Sequence, residues 1–506
     1  HLSRLHPQHV GSLPMPAYAN NTITRIALLV IQCSKAFFVP HHGQGPMPKG
    51  LYTCITTTEN LLHFLSDVEM ILLSKSTAIC LQSMVKLQRE FTMKITKLEI
   101  DNFRGIKHTH FVPTEGMNVI IGENGAGKST ILDAIALALS WYTSRFSNRA
   151  SNGWPIKELD VRKGQHEARI SIQVEIDGNS IGWTIYGYRS GPSARKKGEY
   201  ASLNAYLEKM SKELANDRIV VPLVSYYPTT RAFVDVPRRI RTKHDFSELN
   251  AVYTESLTLG ADFRSFYEWF KDQEDLENEL IARPGKTAPN AMPRLKEVRE
   301  AIEHFTGFHD LRIKRRNSVR MVLNQNDVEI EVSQLSDGEQ IYLALIGDIA
   351  RRAVMAHPCG NPLKDVEGVV LIDEVELHLH PRWQREVLVR LQEVFPRLQF
   401  ITTTHSPQVV GEIKKESSWI VKRGGAIETL KFSLGATSNL ILEAIMNTPE
   451  RNKDYKETIS SIYDDINKKN YDEVAKKVEQ LKEINEDEPE VVRIKGILRA
   501  KEILET

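Results

Sequence analysis

Apolar and polar positions alternate in several stretches of this 506-residue chain and recur at helical spacing in others. Residues 94–103 and 168–188 alternate with the period of two that half-buried strands show. Residues 118–121, 219–227 and 368–372 are short apolar runs, which are typical of strands buried on both faces of a parallel sheet. The pattern predicts that 219–227 is a second central strand.

Helical spacing follows these strands. Apolar residues recur every three or four positions in 129–141, 337–356 and 381–395, and further strand-like segments occupy 312–332 and 398–404. Strands that alternate with helices in this way predict an α/β fold with a mainly parallel sheet.

Residues 246–306 interrupt the alternation. Aromatic residues from Phe263 to Phe270 have the spacing of an amphipathic helix, a proline-rich break covers 283–293, and 295–305 is helical again. These features predict a short helical hairpin inserted into the α/β domain.

The two ends of the chain differ from its centre. Only eleven of residues 1–92 are Asp, Glu, Lys or Arg, less than half the density in the remainder. We interpret this segment as upstream sequence or a poorly ordered leader, with a partner-binding arm as the alternative. The last residues are highly charged and helical. The predicted domains are therefore 1–92, 93–245, 246–306, 307–433 and 434–506.

Composition and charge limit the function classes. The formal net charge is +1, so binding of nucleic acid would require a local basic patch. Four cysteines without a Cys-x-x-Cys pair indicate neither disulfides nor zinc, which favours a cytoplasmic protein. The apolar stretch 23–39 contains Arg25 and Lys35 and is shorter than the ~20 residues that a bilayer requires. We therefore expect no membrane segment and no export signal.

Candidate chemistry begins with Gly122-Glu-Asn-Gly-Ala-Gly-Lys-Ser129, here called the phosphate loop, which lies between a predicted strand and a predicted helix. Glycines let backbone N–H groups turn towards a phosphate, and the positive helix end adds to the attraction. Lys128 is placed for the β- and γ-phosphates of ATP, and Ser129 for Mg²⁺. The predicted nucleotide-binding residues are Gly122, Asn124, Gly125, Gly127, Lys128, Ser129 and Thr130.

A second candidate is the acidic pair, Asp373 and Glu374, which ends the apolar run 368–372. Many strands end in acids, but this one accompanies a phosphate loop. We expect Asp373 to lie near Mg²⁺ and Glu374 to orient or deprotonate the attacking water.

Two further segments carry candidate residues. Leu335-Ser-Asp-Gly-Glu-Gln340, here called the signature segment, opens a predicted helix. Ser336 and Glu339 have the spacing of a capping box, and a capped helix start is also a suitable anion site, so both roles stay open. His405 follows the strand 398–404, whereas His378 and His380 lack a third ligand, so no metal site is predicted there.

Together, these segments resemble the stand-alone ATP-binding-cassette ATPases related to RecF, SMC and the OLD nucleases, over about residues 93–433. The resemblance implies a head-to-tail dimer with two ATP molecules between the copies. It implies catalytic roles for Glu374, His405 and Lys128. Nucleotide contacts are also implied for Arg104 and, from the other copy, for Ser336, Gly338 and Glu339. Relatives carry a glutamine in the loop after the strand 219–227, whereas this chain has Pro228-Thr-Thr-Arg231, so that role stays unassigned.

A narrower resemblance rests on residues 372–384 and 404–407. They are similar to the ATPase subunit of Septu antiphage systems, which also occurs beside retron reverse transcriptases. This implies an ATPase that uses ATP and Mg²⁺ and regulates a separate HNH-type nuclease, with a reverse transcriptase and its msDNA as partners if the system is a retron. The alternative is a RecF/SMC-like repair or recombination ATPase, whereas a transporter motor fits the acidic signature poorly.

Other surfaces suggest partners. Basic clusters run from Arg238 to His244 and from Arg312 to Arg320, and they either face nucleic-acid phosphates or are solvated surface. The helices after 434 carry one-sided apolar residues and no strand-borne Glu with an Asp-x-Asp cluster. We therefore expect no nuclease in cis, and expect these helices either to pack on their own core or to dock an effector nuclease.

Overall fold

The computed structural model describes most of the chain from residue 92 onwards. The described ranges are 92–189, 195–214, 220–232, 249–258, 263–282, 294–315, 319–358, 360–446, 449, 451–484 and 489–505. Of the predicted segments, 1–91, the basic cluster at 238–244, the proline-rich break at 283–293 and Arg316 lie outside these residues.

Thirteen strands lie within the described ranges. They are β1 (Met93–Phe103), β2 (Ile106–Phe111), β3 (Met117–Ile121), β4 (Glu167–Ile176), β5 (Asn179–Tyr188), β6 (Leu223–Tyr227), β7 (His309–Lys314), β8 (Arg320–Gln325), β9 (Val328–Glu331), β10 (Gly368–Ile372), β11 (Leu398–Thr404), β12 (Ser418–Val421) and β13 (Ile427–Thr429).

The same ranges contain twelve α-helices. They are α1 (Lys128–Ser147), α2 (Ala201–Leu214), α3 (Phe263–Ala282), α4 (Arg294–Thr306), α5 (Asp337–Ala356), α6 (Pro362–Asp365), α7 (Pro381–Val394), α8 (Pro407–Val410), α9 (Ser438–Ala444), α10 (Lys453–Asn467), α11 (Tyr471–Ile484) and α12 (Pro489–Glu505).

A six-stranded sheet carries the motifs at its strand ends. Its order is β13–β12–β3–β11–β10–β6, and the strands from β12 to β6 run parallel. Every residue of β3, β6, β10 and β11 is buried, which explains why their sequences are apolar runs and not alternations. The predicted α/β fold with a mainly parallel sheet is confirmed.

The position of β6 corrects one expectation. It begins at Leu223 and is the last strand of this sheet, not a central one. Its outer edge is nevertheless covered, because the Tyr226 N–H donates to the Ser256 carbonyl at 2.7 Å and the Tyr253 hydroxyl donates to the Pro222 carbonyl at 2.7 Å. This cover allows an edge strand to be as apolar as a central one.

Helix α1 lies between two sheets. It contacts β6, β10 and β11 on one side, and on the other β4 of an antiparallel four-stranded sheet with the order β2–β1–β4–β5. Apolar residues therefore occur all round the middle of α1, from Ile131 to Tyr142, and nearly all of them are buried.

The inserted helical hairpin is confirmed. Helices α3 and α4 contact one another, and both pack on α5. The aromatic residues of α3 are buried in the main core, namely Phe263, Phe266, Tyr267, Trp269 and Phe270. The buried Glu274 joins the hairpin to β7, since it accepts from the Ile313 N–H at 3.0 Å and pairs with Arg315 at 2.6 Å.

The C-terminal helices α10–α12 have a core of their own. Seven residues form it, separate from the main core: Ile462, Ile466, Val474, Val478, Leu481, Val491 and Ile494. We call these helices the C-terminal module. Packing on an internal core is thus one of the two roles expected for this region.

Candidate functional site

The phosphate loop connects β3 to α1 in a conformation that depends on glycine. Gly127 precedes α1 with a φ of 110°, which an L side chain rarely adopts. A Cβ at Gly122 would lie 2.5 Å from the Val421 carbonyl oxygen. Asn124 and Gly125 are exposed at the tip of the loop, and Thr130 is half-buried on the first turn of α1.

Lys128 is folded back over this loop. Its Nζ donates to the Gly122 carbonyl at 2.9 Å and to the Glu123 carbonyl at 3.1 Å, and the residue is 5% exposed. Burial lowers the pKa of the ammonium, although the carboxylates of Asp373, Glu374 and Glu376 oppose this shift. A phosphate at the loop would replace the carbonyl contacts with stronger, charge-assisted ones.

The phosphate loop and the acidic pair meet at the carboxyl ends of β3 and β10. Ser129 Oγ donates to Asp373 Oδ1 at 3.1 Å, and Asp373 is 3% exposed. Neighbouring oxygen ligands of an octahedral Mg²⁺ lie about 3 Å apart, given bonds of about 2.1 Å. The predicted pair of ligands, Ser129 and Asp373, therefore fits a magnesium ion, which when bound would offset phosphate charge.

Glu374 stands next to Asp373 in an unusual backbone conformation. Its φ is 48°, in the left-handed region that non-glycine residues rarely occupy. Its N–H donates to Thr403 Oγ1 at 2.7 Å, and the same Thr403 hydroxyl donates to Asp373 Oδ1 at 2.5 Å. Thr403 was not among the residues predicted from the sequence; the available signal was the polar Thr402-Thr-Thr404 end of a buried strand.

His405 lies just after β11, and Glu376 holds the backbone there. Glu376 Oε1 accepts from the His405 N–H at 2.5 Å. Burial, and then the Lys128 ammonium, lower the pKa of His405, whereas burial raises the pKa of Glu376. The neutral imidazole is therefore favoured beside Lys128. Glu376 is a second residue that sequence reasoning missed, although it is the third acid of Asp-Glu-Val-Glu.

The signature segment forms the capping box that its spacing predicts. Ser336 Oγ donates to Glu339 Oε2 at 2.8 Å and accepts from the Glu339 N–H at 3.4 Å, while the Ser336 N–H donates to Glu339 Oε2 at 2.9 Å. Gly338 approaches another loop so closely that a Cβ there would lie 2.3 Å from the His378 carbonyl oxygen. The structure thus joins the signature segment to the His378 loop of the same copy.

Arg104 lies between two carboxylates. Its guanidinium donates to Asp160 Oδ1 at 2.8 Å and also to Asp133, one helical turn after Ser129 on α1. Arg104 is therefore fixed beside α1, and its nucleotide contact stays a prediction.

The loop after β6 lies beside the acidic pair. The Asp373 N–H donates to the Tyr227 carbonyl at 2.9 Å, which places Pro228 and Thr229 next to Asp373. His380 caps α7, since its Nδ1 accepts from the Arg382 N–H at 3.3 Å. Within the described ranges, no group of three or more His, Cys, Asp or Glu residues could hold a metal ion.

The basic cluster at 312–320 is largely offset by acids. Each described cation in it has a carboxylate partner: Arg312 with Glu329 at 2.5 Å, Lys314 with Glu329 at 2.5 Å, Arg315 with Asp275 at 2.6 Å and Arg320 with Glu331 at 3.3 Å. This pairing weakens the expectation that the cluster contacts nucleic-acid phosphates.

In the part of the chain that the structure describes, no helix is both long and apolar enough to span a bilayer.

Comparison with known proteins identifies the family that this chain matches. Residues 117–411 match the family described as "AAA domain, putative AbiEii toxin, Type IV TA system". This range runs from β3 to α8 and contains the phosphate loop, the signature segment, the acidic pair and His405.

Three relatives show how far the likeness extends. The chain is 32% identical to the Retron Ec83 probable ATPase of Escherichia coli, over 72% of this chain and 78% of the relative. It is 26% identical to the Retron Vc95 probable ATPase of Vibrio cholerae, over 69% of this chain and 77% of the relative. It is 29% identical to the Septu protein PtuA of Bacillus mycoides, over 62% of this chain and 38% of that longer relative.

Proposed function

The chain belongs to this AAA-domain family and is similar to relatives named for retrons and for Septu, and on that premise we propose a specific function. It binds and hydrolyses Mg-ATP, dimerises head to tail around the nucleotides, and regulates a separate effector nuclease in antiphage defence.

One observation carries the ATPase part of this proposal. The Ser129 hydroxyl and the Asp373 carboxylate lie 3.1 Å apart, beside the buried Lys128 ammonium. Two oxygen ligands and one cation at the end of a parallel sheet are the groups that a Mg²⁺-bound triphosphate requires. Glu374 then acts on the attacking water, and His405, held by Glu376, contacts the γ-phosphate.

The head-to-tail dimer rests on the signature segment. Ser336 is exposed at the start of α5, and its side-chain hydrogen bonds among the described residues go to Glu339. An exposed helix start attracts an anion, so a second copy can present its γ-phosphate there, in place of the Glu339 carboxylate that now accepts from Ser336. Ser336 and Gly338 contact that phosphate in trans.

The partners follow from the relatives and from the C-terminal region. The resemblance to the Septu ATPase subunit is the basis for assigning an HNH-type effector nuclease as partner. Because two relatives are named as retron ATPases, a reverse transcriptase with its msDNA is assigned as a further partner. The region after 434 docks the effector. Since the described cations at 312–320 are paired with acids, any nucleic-acid contact is assigned to 238–244.

The test is the mass of the purified chain in solution, measured by light scattering. Glu374→Gln should double in mass with Mg-ATP, because the bound nucleotide cannot be hydrolysed. Lys128→Ala should stay at its nucleotide-free mass, since it lacks the cation for the phosphates. If Glu374→Gln binds Mg-ATP and remains a monomer, the trans role of the signature segment is wrong. If the wild type does not bind Mg-ATP at all, the ATPase itself is refuted.

A further inference from the structure

The acidic pair is held in place by a residue of the neighbouring strand. We infer that Thr403 is a positioning residue for the hydrolysis reaction, because one hydroxyl fixes both the Mg²⁺-binding acid and the acid that acts on water. This inference rests on the proposed function. It assigns the orientation of Asp373 and Glu374 to a side chain that lies outside the phosphate loop, the signature segment and the acidic pair.

The strand register brings Thr403 to this point. Strands β10 and β11 run parallel with Ile372 opposite Thr402, so the next residue of each strand, Asp373 and Thr403, lies at the same level. The pairing continues after β10 has ended, since the Val375 N–H donates to the Thr403 carbonyl at 3.0 Å. Thr403 is thus the residue that bridges the end of the strand and the turn that follows.

The first contact of the Thr403 hydroxyl is with the Asp373 carboxylate. It is fully buried and donates to Asp373 Oδ1 at 2.5 Å, a distance typical of a strong hydrogen bond to a carboxylate. Ser129 Oγ also donates to this oxygen, at 3.1 Å. When Ser129 uses its oxygen as a metal ligand, Thr403 is the hydroxyl that continues to fix the carboxylate. Such outer hydrogen bonds to a ligand are worth about 10- to 100-fold in metal affinity.

The same hydroxyl also forms a hydrogen bond with the backbone of Glu374. It accepts from the Glu374 N–H at 2.7 Å, and Glu374 has a φ of 48°. A left-handed backbone at a non-glycine residue persists only where its surroundings hold it. Thr403 therefore determines the direction in which the Glu374 side chain leaves the strand.

The adjacent Thr402 offers a matched control. It lies on the same strand and is also fully buried, but its hydroxyl donates to the Asn118 carbonyl at 3.3 Å. Thr402→Val and Thr403→Val remove the same group from equally buried positions. Only the second change removes a contact to the acidic pair.

The experiment measures binding of a fluorescent, non-hydrolysable ATP analogue to the full chain while Mg²⁺ is titrated. In Thr403→Val the Mg²⁺ concentration for half-maximal binding should rise about 10- to 100-fold. Thr403→Ser, which keeps the hydroxyl, should restore values near the wild type, and Thr402→Val should leave them unchanged. In ATPase assays at saturating Mg²⁺, Thr403→Val should lower kcat more than it changes the KM for ATP.

Each outcome is decisive. If Thr403→Val and Thr402→Val show the same Mg²⁺ dependence, Thr403 has only a structural role and the inference is overturned. If Thr403→Val does not fold, Thr403→Ala, which adds no methyl group beside Asp373, must show the same shift. If the wild type hydrolyses no ATP, the proposed function is refuted. If the wild type is active and Thr403→Val has the same Mg²⁺ dependence and kcat, only the inference about Thr403 is refuted.

Discussion

Gly338 is a position in the signature segment at which a Cβ atom cannot be accommodated. The close approach of its Cα to the His378 carbonyl leaves no space for a side chain. Since the obstructing atom belongs to the backbone, it cannot move away by changing rotamer. A side chain at this position would therefore force the signature segment and the His378 loop apart.

This contact predicts the effect of Gly338→Ala. The added methyl group should destabilise the chain by about 1 to 3 kcal/mol, the usual cost of overpacking, and should weaken the ATP-dependent doubling in mass. Urea unfolding and light scattering provide the measurements. Gly496→Ala is the control, because that glycine lies in α12 with open space around it and should gain about 0.5 to 1 kcal/mol. A Gly338→Ala protein as stable as the wild type would contradict the close contact.

At this scale, the sequence predicts the residues whose function depends on a continuous motif. Lys128 and Ser129 follow from the phosphate loop, and Ser129 Oγ donates to Asp373 Oδ1. Their roles toward the nucleotide stay predictions. Thr403 and Glu376 could not be found in this way. Their contacts depend on which strand lies beside β10 and in which register, and periodicity contains no information on strand neighbours.

Among the elements, α5 is joined to the central sheet by a buried charge network. Asp348 lies in the interior of α5 and accepts from Arg352 Nε at 2.8 Å, from Arg351 Nη2 at 2.5 Å and from the Tyr227 hydroxyl at 2.9 Å. The Arg352 guanidinium also donates to the Val252 carbonyl at 2.6 Å. Tyr227 is the last residue of β6, and its carbonyl accepts from the Asp373 N–H. The network therefore connects the helix of the signature segment with the acidic pair.

This network predicts a large effect of Asp348→Asn. Two buried guanidinium groups would lose their counter-charge, so we expect a loss of about 3 to 5 kcal/mol in the free energy of unfolding. Glu208→Gln removes one carboxylate from the exposed pair with Lys212 on α2 and should leave the free energy of unfolding nearly unchanged. Urea titrations of both variants make the comparison. Equal, small effects would show that the network does not stabilise the fold.

The same network predicts a pH dependence. Burial opposes ionisation of Asp348, yet Arg352 and Arg351 hold its pKa below the ordinary value. A carboxyl group with a lowered pKa contributes stability that is present above its unfolded pKa and is lost as the pH falls through the folded value. In acid, the difference in unfolding free energy between the wild type and Asp348→Asn should therefore shrink.

Element type was easier to predict than element position. Helix α5 has the predicted bounds 337–356, and β10 the predicted bounds 368–372. The apolar run before Pro228 is predicted at the centre of the sheet, but it forms the last strand. It is buried there because the segment around Tyr253 and Ser256 covers its edge. The burial of a strand can be inferred from its composition, but the residues that cover the strand cannot be inferred in this way.

On the scale of the whole molecule, the C-terminal module has a small hydrophobic core separate from the main one. Its core residues pack on one another and not on the main core. A small core of this kind is only marginally stable on its own. The module should therefore unfold without the rest of the chain.

Val474→Asp tests this independence. Val474 is fully buried, so its replacement should unfold the module alone and leave unchanged the rise in melting temperature that Mg-ATP gives the remaining chain. Calorimetry with and without Mg-ATP, and co-purification with the effector nuclease, are the measurements, and loss of the nuclease is expected. Val492→Asp is the control, because Val492 is 67% exposed in the same module. If calorimetry shows a single unfolding transition for the whole chain, and Mg-ATP raises its temperature as a whole, the module does not unfold separately.

The left-handed backbone at Glu374 has a consequence for how this chain can evolve. A glutamate in that conformation lowers stability, whereas asparagine or glycine would adopt it more readily. A laboratory population selected for heat resistance alone should therefore accumulate Glu374→Asn or Glu374→Gly and lose hydrolysis. Retention of glutamate under such selection would show instead that its left-handed backbone costs the fold little.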